Sequence, residues 1–365
     1  MARIVVGLSG GVDSSVAALL LKQQGHEVHG VFMDNWDAAD AYCTAAQDFQ
    51  DARQAAAALD IPLHKVSFAE QYLERVFALV LAELRAGRTP NPDVLCNSEI
   101  KFRCFLDYAL RLGADRVATG HYARAAHAGG RSRLLRAADR DKDQCYFLHA
   151  VEPAALAYAE FPLGGLPKAE VRELAFRAGL ATHDKPDSTG ICFIGERRFR
   201  EFLRGHLSAS PGPIVTAEGA TVGEHDGLVN YTLGQREGLR IGGRRDAAEL
   251  PWYVAGKDLA KNALIVVQGH DHPLLFSDTL EVERLHWLGA PPIDGETLGA
   301  QVRHRQQEQP CRIELLAGSR ARVGFATPQR AVTPGQYCVL FRGDECLGGG
   351  VIARAATAAA VRIAS

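Results

Sequence analysis

The sequence predicts an α/β protein in which an open parallel sheet is followed by a small β-rich central domain and a C-terminal β-barrel. Two observations predict the sheet: strands and helices alternate from the N-terminus, and a glycine-rich loop joins the first pair. A third predicts the β domains, because past Arg204 the chain changes to short β-rich runs separated by turns. A length of 365 residues exceeds what one hydrophobic core usually organises. We expect domain bounds near 1–204, 205–275 and 276–358.

The first part of the chain contains three predicted strand–helix pairs. In chain order they are residues 4–8 with 13–24, 27–33 with 43–59, and 63–68 with 72–86. The first strand is β-branched, which suits a strand buried on both faces, and the first helix is rich in alanine and leucine. Ligands of open α/β sheets bind beyond the carboxyl ends of the strands, so we expect the strand tips to share one crevice.

The loop between the first strand and the first helix predicts a phosphate site. Gly10 and Gly11 lack Cβ atoms, so backbone N–H groups can approach an anion, and the following helix presents its positive dipole end. The loop contains neither the lysine motif of P-loops nor a dinucleotide fingerprint. Beside a polyphosphate, Asp13 is predicted to act through Mg²⁺ rather than as a simple helix cap. The candidate ligand residues are Gly7, Leu8, Ser9, Gly10, Gly11, Val12, Asp13 and Ser14.

Two further strand tips are expected in the same crevice. Met33 ends the second strand and is either an adenine contact or a core residue. Gly120 follows a strand near residues 115–119 and would let backbone approach a nucleotide, while the adjacent His121 is either functional or structural. The segment 124–136 carries four arginines around a Gly129-Gly130 turn and predicts a polar hairpin, interpreted as a solvated loop.

Two cysteines lie in segments that suggest sulfur chemistry. Pro90 and Pro92 end the preceding helix, and a new helix is predicted to start near Cys96, with the carboxylate of Asp93 just upstream. A helix N-terminus lowers the pKa of a thiol, so Cys96 is a candidate thiolate, although a buried structural cysteine is the alternative. Cys192 lies in a small, polar, glycine-flanked stretch followed by arginines, where a thiolate would be stabilised and accessible.

Composition limits the possible partners and compartments. The net charge of −2 and a pI of about 6.7 mean that any nucleic-acid footprint must be local. The eight cysteines contain no C-x-x-C pair, and we find neither a secretory segment nor an apolar run of membrane-spanning length. The sequence therefore predicts a cytoplasmic protein with reduced thiols and no membrane partner.

Taken together, these segments resemble the bacterial tRNA-specific 2-thiouridylases, which replace the 2-oxygen of a wobble uridine with sulfur. The loop alone resembles the pyrophosphatase-type loop of enzymes that split ATP between its α and β phosphates, and it would fit GMP synthetase or argininosuccinate synthase equally well. Those families need not place the two cysteines. The strings that carry the resemblance are GLSGGVDSS from Gly7, GRTPNPD from Gly87, Cys96-Asn97, ATGHY from Ala118, Lys142-Asp143-Gln144 and DSTGICFIG from Asp187.

The resemblance implies a sheet of adenine-nucleotide α-hydrolase type and a role for each matching residue. ATP, with Mg²⁺, would be held by the loop residues 7–14 together with Met33 and Gly120. Cys96 would be the nucleophile, Cys192 would carry a persulfide, and Asp93 would be an acid or base. Relatives are expected to carry a lysine where this chain has Asp34. The target base would be contacted by Asn91, Pro92 and Asp93, and the rest of the tRNA by His121, Lys142, Asp143, Gln144, Arg303, His304 and Gln336.

The implied reaction is ATP-dependent 2-thiolation of tRNA. ATP would adenylate the 2-carbonyl oxygen of uridine, and the Cys192 persulfide would then displace AMP. Cys96 would resolve the persulfide and leave a Cys96–Cys192 disulfide. The sulfur would come from a sulfur-relay protein or a cysteine desulfurase. Two other classes are weighed against this function: another AMP-forming ligase or amidotransferase acting on a small carbonyl substrate, and a non-catalytic RNA-binding or sulfur-carrier protein.

Overall fold

The computed structural model describes residues 1–36, 45–186, 205–207, 210–241 and 250–356. Within them, the N-terminal part forms a five-stranded sheet with strand order β3-β2-β1-β4-β7. All four pairings in this sheet are parallel, which confirms the predicted open parallel sheet. The strands are β1 (Arg3–Gly7), β2 (Glu27–Asp34), β3 (Leu63–Ser67), β4 (Arg116–Ala118) and β7 (Ala159–Glu160). Val5 and Val6 of the central strand are fully buried, as its β-branched sequence predicted.

Helices cover the N-terminal sheet and connect its strands. The α-helices are α1 (Val12–Gln23), α2 (Ala45–Ala58), α3 (Ala69–Tyr72), α4 (Ala78–Arg85), α5 (Pro92–Leu95), α6 (Phe105–Arg111), α7 (Cys145–Leu148), α8 (Pro153–Leu156) and α9 (Lys168–Arg177). Two π-helical segments, Leu73–Phe77 and Cys96–Cys104, join α3 to α4 and α5 to α6. No helix in the described part of the chain is long and apolar enough to cross a lipid bilayer.

The polar hairpin predicted around Gly129-Gly130 is present, but it is not a solvated loop. Its strands are β5 (Ala123–Ala128) and β6 (Arg131–Arg136). Strand β6 pairs with the last strand of the C-terminal sheet through Leu134 and Leu135, and the Leu134 side chain is fully buried. The solvated interpretation is wrong because β6 joins the barrel sheet and its Leu134 and Arg136 side chains are buried.

The central part of the chain is a four-stranded sheet with order β10-β11-β8-β9. Ile214, Val254, Leu264 and Val266 form its buried core. The strands are β8 (Gly212–Thr216), β9 (Thr221–His225), β10 (Trp252–Asp258) and β11 (Ala263–Gln268), with short 3₁₀ helices at Leu228–Asn230 and Pro273–Leu275.

The C-terminal part is a closed barrel, as predicted. Its order is β12-β15-β14-β13-β16-β17, and the antiparallel pairing of β12 with β17 closes it. Ile313, Val323 and Cys338 are fully buried inside it. The strands are β12 (Phe276–Trp287), β13 (Thr297–Gln301), β14 (Gln309–Leu316), β15 (Arg320–Arg330), β16 (Tyr337–Arg342) and β17 (Glu345–Ala356).

A buried polar contact joins α7 to the barrel. The Tyr146 hydroxyl donates to the Tyr337 carbonyl at 3.1 Å, and His149 donates from Nδ1 to the Tyr146 carbonyl at 2.7 Å. The His149 ring also packs edge-on to the Tyr337 ring, 4.9 Å away. Burial lowers the pKa of His149 to about 4, so the ring is neutral near pH 7.

The free energy of unfolding is therefore expected to decrease as the pH is lowered from about 6.5 to 4. In this range the unfolded chain protonates His149 while the folded chain does not, so each pH unit costs about 1.4 kcal/mol of the unfolding free energy. Buried His121, whose pKa is also lowered, acts in the same direction. His149→Gln should lower the dependence of the unfolding free energy on pH by about 1.4 kcal/mol per pH unit, measured by urea unfolding at several pH values. The surface variant His127→Gln is the control, and an unchanged slope in His149→Gln would contradict the assignment.

Candidate active site

Hydroxyl groups hold the glycine loop in one shape. The Ser9 backbone N–H donates to Ser14 Oγ at 3.1 Å, and the hydroxyls of Ser14 and Ser15 both donate to the Gly11 carbonyl, at 3.1 and 2.9 Å. Gly10 has a φ of +76°, and a Cβ there would lie 2.1 Å from the Asp48 carbonyl oxygen. The loop shape therefore requires glycine at position 10.

The tips of three parallel strands converge on this loop. A Cβ on Gly120 would lie 2.7 Å from both the Asp13 carbonyl carbon and the Ser14 nitrogen, so the end of β4 packs directly on the start of α1. Met33 Cε, at the end of β2, would lie 3.1 Å from a Cβ on Gly7. At Gly11 the nearest such contact is 3.5 Å, to Ser9 Oγ. A bare backbone at a helix N-terminus fits a polyphosphate such as that of ATP.

Two lysines from distant parts of the chain contact the loop, and sequence reasoning missed both. Lys168 Nζ lies 2.7 and 2.8 Å from the two carboxylate oxygens of Asp13. Lys185 Nζ donates to the Gly10 carbonyl at 3.0 Å and to Asp48 Oδ1 at 2.8 Å. Burial alone would lower the pKa of Lys185, but hydrogen bonds with Asp48 and Asp51 outweigh it and raise that pKa. The Lys185 ammonium is therefore charged and held beside the loop.

The described residues do not fit a resident Mg²⁺ ion on Asp13. Its Oδ1 atom also accepts a hydrogen bond from the Tyr122 hydroxyl at 2.9 Å, so both carboxylate oxygens are engaged. No group of three or more His, Cys, Asp or Glu side chains suited to a metal occurs within the described ranges. The geometry instead makes Asp13 part of an ion pair.

The helix that carries Cys96 begins four residues earlier than predicted. It starts at Pro92, with Asn91 as the N-cap, whose side-chain oxygen accepts from the Asp93 backbone N–H at 3.2 Å. Proline is favoured at the first helical position and asparagine at the cap, so this segment starts a helix rather than delaying one. Cys96 therefore lies beyond the first turn and is 1% exposed, and the expected placement at a helix N-terminus is wrong.

A π-helical segment runs from Cys96 to Cys104. Such segments are rare and are frequent at functional sites. Within it, Phe102 leaves helical geometry, with φ −103° and ψ 16°. Asn97 Nδ2 donates to the Phe147 carbonyl at 3.2 Å, which ties this segment to α7. Lys101 Nζ donates to His121 Nε2 at 3.4 Å.

His121 forms part of the crevice wall. It is 8% exposed, with Phe102 and Phe161 each 6.2 Å from its ring centroid. Its Nδ1 lies 2.7 Å from Thr119 Oγ1, and since Nε2 accepts from Lys101, Nδ1 is the donor. Burial, and secondarily the Lys101 charge, lower the pKa of His121 well below its usual value. His121 is thus a neutral ring between the glycine loop and the helix that carries Cys96.

The barrel reaches the segment predicted to meet the target base. Gln336 Nε2 donates to the carbonyl of Thr89 at 2.8 Å, and Asn91 Nδ2 lies 3.5 Å from Gln336 Oε1. The Thr89 backbone N–H donates to the Pro334 carbonyl at 2.9 Å. Gln336 is therefore placed next to Asn91, although 245 residues separate them.

The other predicted tRNA contacts form a second group at the boundary with the barrel. Asp143 is buried and accepts from the Ala137 backbone and from Arg136, at 2.8 and 3.1 Å. Gln144 Oε1 accepts from the Tyr122 backbone at 2.9 Å. The His304 ring packs 4.3 Å from that of Phe147, and the neighbouring Arg303 is exposed. Lys142 is half-buried.

Cys192 and its flanking motif, residues 187–195, lie outside the described residues. The last described residue before them that contacts the loop is Lys185.

The fold and this crevice define a nucleotide-binding α/β enzyme domain that carries two accessory β domains. Residues 2–196 match the family described as tRNA methyl transferase HUP domain, residues 200–268 its PRC-barrel domain, and residues 277–352 the aminomethyltransferase beta-barrel domain. Proteins that match over nearly the whole chain identify the family more narrowly. By these matches, the chain belongs to the tRNA-specific 2-thiouridylase family.

Three of these relatives are named tRNA-specific 2-thiouridylase MnmA. The protein from Methylococcus capsulatus is 59% identical over 355 residues, covering 96% of each chain. The protein from Nitrosomonas eutropha is 56% identical, covering 96% of this chain and 98% of its own. The protein from Cupriavidus metallidurans is 55% identical, covering 96% of this chain and 99% of its own.

Proposed function

We propose that this chain is a tRNA sulfurtransferase that uses ATP to replace the 2-oxygen of a wobble uridine with sulfur. The 59% identity to a tRNA-specific 2-thiouridylase across 96% of the chain carries the proposal. The crevice supports it, because Gly120 packs against the glycine loop, and the next residue, His121, contacts Lys101 of the π-helical segment that begins at Cys96. A tRNA-modifying enzyme of this kind would act in the cytoplasm.

The first half of the reaction activates the base. The 2-carbonyl oxygen of uridine attacks the α-phosphorus of ATP, pyrophosphate leaves, and the oxygen is held as an adenylate. Backbone N–H groups of the loop and the positive end of α1 would stabilise the charge on the departing pyrophosphate. Met33 and Gly120 line the same crevice and would hold the adenosine side of the nucleotide. Asp93 would accept or return the proton of the base.

The second half transfers sulfur. The terminal sulfur of a Cys192 persulfide attacks the activated C2 atom, and AMP leaves with the original oxygen. The Cys96 thiolate then attacks the inner sulfur of Cys192, which releases the thiolated base and leaves a Cys96–Cys192 disulfide. A thiol reductant must reopen this disulfide, and a sulfur-relay protein or cysteine desulfurase must reload the persulfide. Because Cys96 is buried here, its sulfur becomes accessible only after its surroundings move.

The direct test is a reconstituted reaction. The purified chain, ATP, a tRNA transcript with a wobble uridine, and a cysteine desulfurase with cysteine should yield 2-thiouridine in nucleoside mass spectrometry. One AMP should form per sulfur inserted. AMP formation without tRNA would favour a ligase acting on a small carbonyl substrate, and tRNA binding without AMP release would favour a non-catalytic carrier.

We further propose that Lys142, Arg303 and His304 form part of the tRNA surface. Lys142 adjoins buried Asp143, and the His304 ring packs 4.3 Å from the Phe147 ring of the same segment. Asp143 accepts a hydrogen bond from Arg136, and Gln336 donates one to the Thr89 carbonyl. Asp143 and Gln336 would therefore support the tRNA surface by positioning neighbouring segments. Phosphate contact would then fall to the cations Lys142 and Arg303.

Removing two of these cations should flatten the salt dependence of tRNA binding. Each phosphate contact contributes about 0.7–0.9 to the slope of log affinity against log salt, so Lys142→Gln with Arg303→Gln should lower its magnitude by about 1.4–1.8. The control is Arg53→Gln with Arg177→Gln, which removes equal charge from exposed helix faces. Fluorescence titrations at several salt concentrations measure the slope. Equal slopes in the two double variants would remove Lys142 and Arg303 from the interface.

A further inference from the structure

The glycine loop has no lysine of its own, yet an ammonium group lies at the start of the helix that follows it. Lys168 is the first residue of α9, 155 residues along the chain from Asp13. Its Nζ atom lies 2.7 and 2.8 Å from the Asp13 carboxylate oxygens. Asp13 is the second residue of α1, so this ion pair stands at the end of the helix that would face a bound anion.

Contacts fix both the backbone and the side chain of Lys168. Its backbone N–H donates to Asp139 Oδ2 at 2.9 Å, which anchors the start of α9. Its ammonium lies 5.6 Å from the ring centroid of Tyr122, and the hydroxyl of that ring donates to Asp13. The Lys168 side chain is only 11% exposed. Such an ammonium needs a carboxylate to offset its desolvation, and Asp13 supplies it.

We infer that Lys168 is a phosphate-binding residue of the loop and that Asp13 is its positioning residue. This rests on the proposed function, in which the loop binds the polyphosphate of ATP. A carboxylate at the start of α1 would repel a polyanion if it stood alone. Paired with Lys168 it forms a neutral unit, and an ammonium has three donors, so it can bind a phosphate oxygen as well as Asp13. P-loops carry the equivalent lysine within their own motif.

The alternative role for Asp13 is a direct contact with Mg²⁺. In this structure both of its oxygens accept hydrogen bonds, from Lys168 and from Tyr122. A metal contact would have to displace Lys168 from at least one of them. The two roles therefore differ in whether the effect of losing Asp13 depends on Lys168 and on the metal.

The test is a double-mutant cycle in the full-length chain, with ATP binding measured by calorimetry. Lys168→Gln should weaken ATP binding by roughly 10- to 100-fold, both in EDTA and with Mg²⁺. Asp13→Asn should weaken it in both buffers as well, and the Lys168→Gln/Asp13→Asn variant should bind no more weakly than Lys168→Gln alone. Affinity for tRNA should stay at the wild-type value. Lys261→Gln, which changes a lysine that is 81% exposed, is the control.

Three outcomes would separate the possibilities. ATP binding of wild-type strength in Lys168→Gln would overturn the inference. An Asp13→Asn defect that appears only with Mg²⁺ and adds to the defect of Lys168→Gln would overturn it in favour of a metal contact. Failure of the wild-type chain to bind ATP would instead refute the proposed function. Thermal unfolding checks that each variant folds. If a single variant leaves an unpaired buried charge and does not fold, the double variant, which carries neither charge, is compared directly with the wild type.

Discussion

Replacing Cys96 with serine should abolish tRNA thiolation, by roughly 10⁴-fold or more, since losing a nucleophile has an effect of this size in other enzymes. In the proposed reaction only the Cys96 sulfur can release the thiolated base from the Cys192 persulfide. The variant should still bind ATP and still accept a persulfide, visible as an added sulfur in the intact protein mass. Nucleoside mass spectrometry measures the lost product.

Two further cysteine variants give this experiment its controls. Cys104→Ser changes another free thiol at the end of the same π-helical segment and should keep wild-type thiolation. Cys192→Ser should accept no persulfide and make no thiouridine. Thiolation by Cys96→Ser at a rate close to wild type, or sulfur loading that persists in Cys192→Ser, would assign the chemistry to other cysteines.

Gly120→Ala should weaken ATP binding by about 10²-fold, because small displacements of a positioning element have effects of that order. The new methyl group would lie 2.7 Å from the backbone of Asp13 and Ser14, and backbone cannot move aside as a flexible side chain can. The N-terminus of α1 must therefore shift. Overpacking of this kind typically costs about 1–3 kcal/mol of stability, so the chain should remain folded.

Gly289→Ala is the matched control for this change. No atom lies within 4 Å of a Cβ added at Gly289, so ATP affinity and stability should stay at wild-type values. Calorimetry with ATP and thermal unfolding measure both quantities. If Gly120→Ala binds ATP as tightly as the wild type, the end of β4 does not shape the nucleotide site.

Much of the N-terminal fold could be predicted because its signals are local. A buried β-branched strand, two glycines and an alanine-rich helix lie within the first 23 residues, and they specify the parallel strand, the turn and the helix start. The strand tips followed from the general geometry of open sheets. The positions of Gly120 and Met33 at the crevice could therefore be predicted from the sequence alone.

The lysines beside the loop could not be found in this way. Lys168 and Lys185 reach the loop from 155 and 175 residues away, and no local pattern distinguishes them from surface lysines. The pairing of β6 with the barrel was missed for the same reason, since the Gly129-Gly130 turn predicts a hairpin but not the strand that its outer edge pairs with. The start of the Cys96 helix was a different error. Pro92 begins a helix here, with Asn91 as its N-cap, whereas the prolines were expected only to end the preceding helix.

The hydrogen bond from Gln336 to the Thr89 carbonyl ties the barrel to the segment that is proposed to contact the target base. Removing the barrel would release the backbone that leads into Asn91 and would uncover the edge of β6. In the proposed function, catalysis and RNA binding would therefore be thermodynamically linked, and we expect that truncating the chain before the barrel would impair both. If so, substitutions on the barrel side of this contact would change the proposed chemistry without touching either substrate.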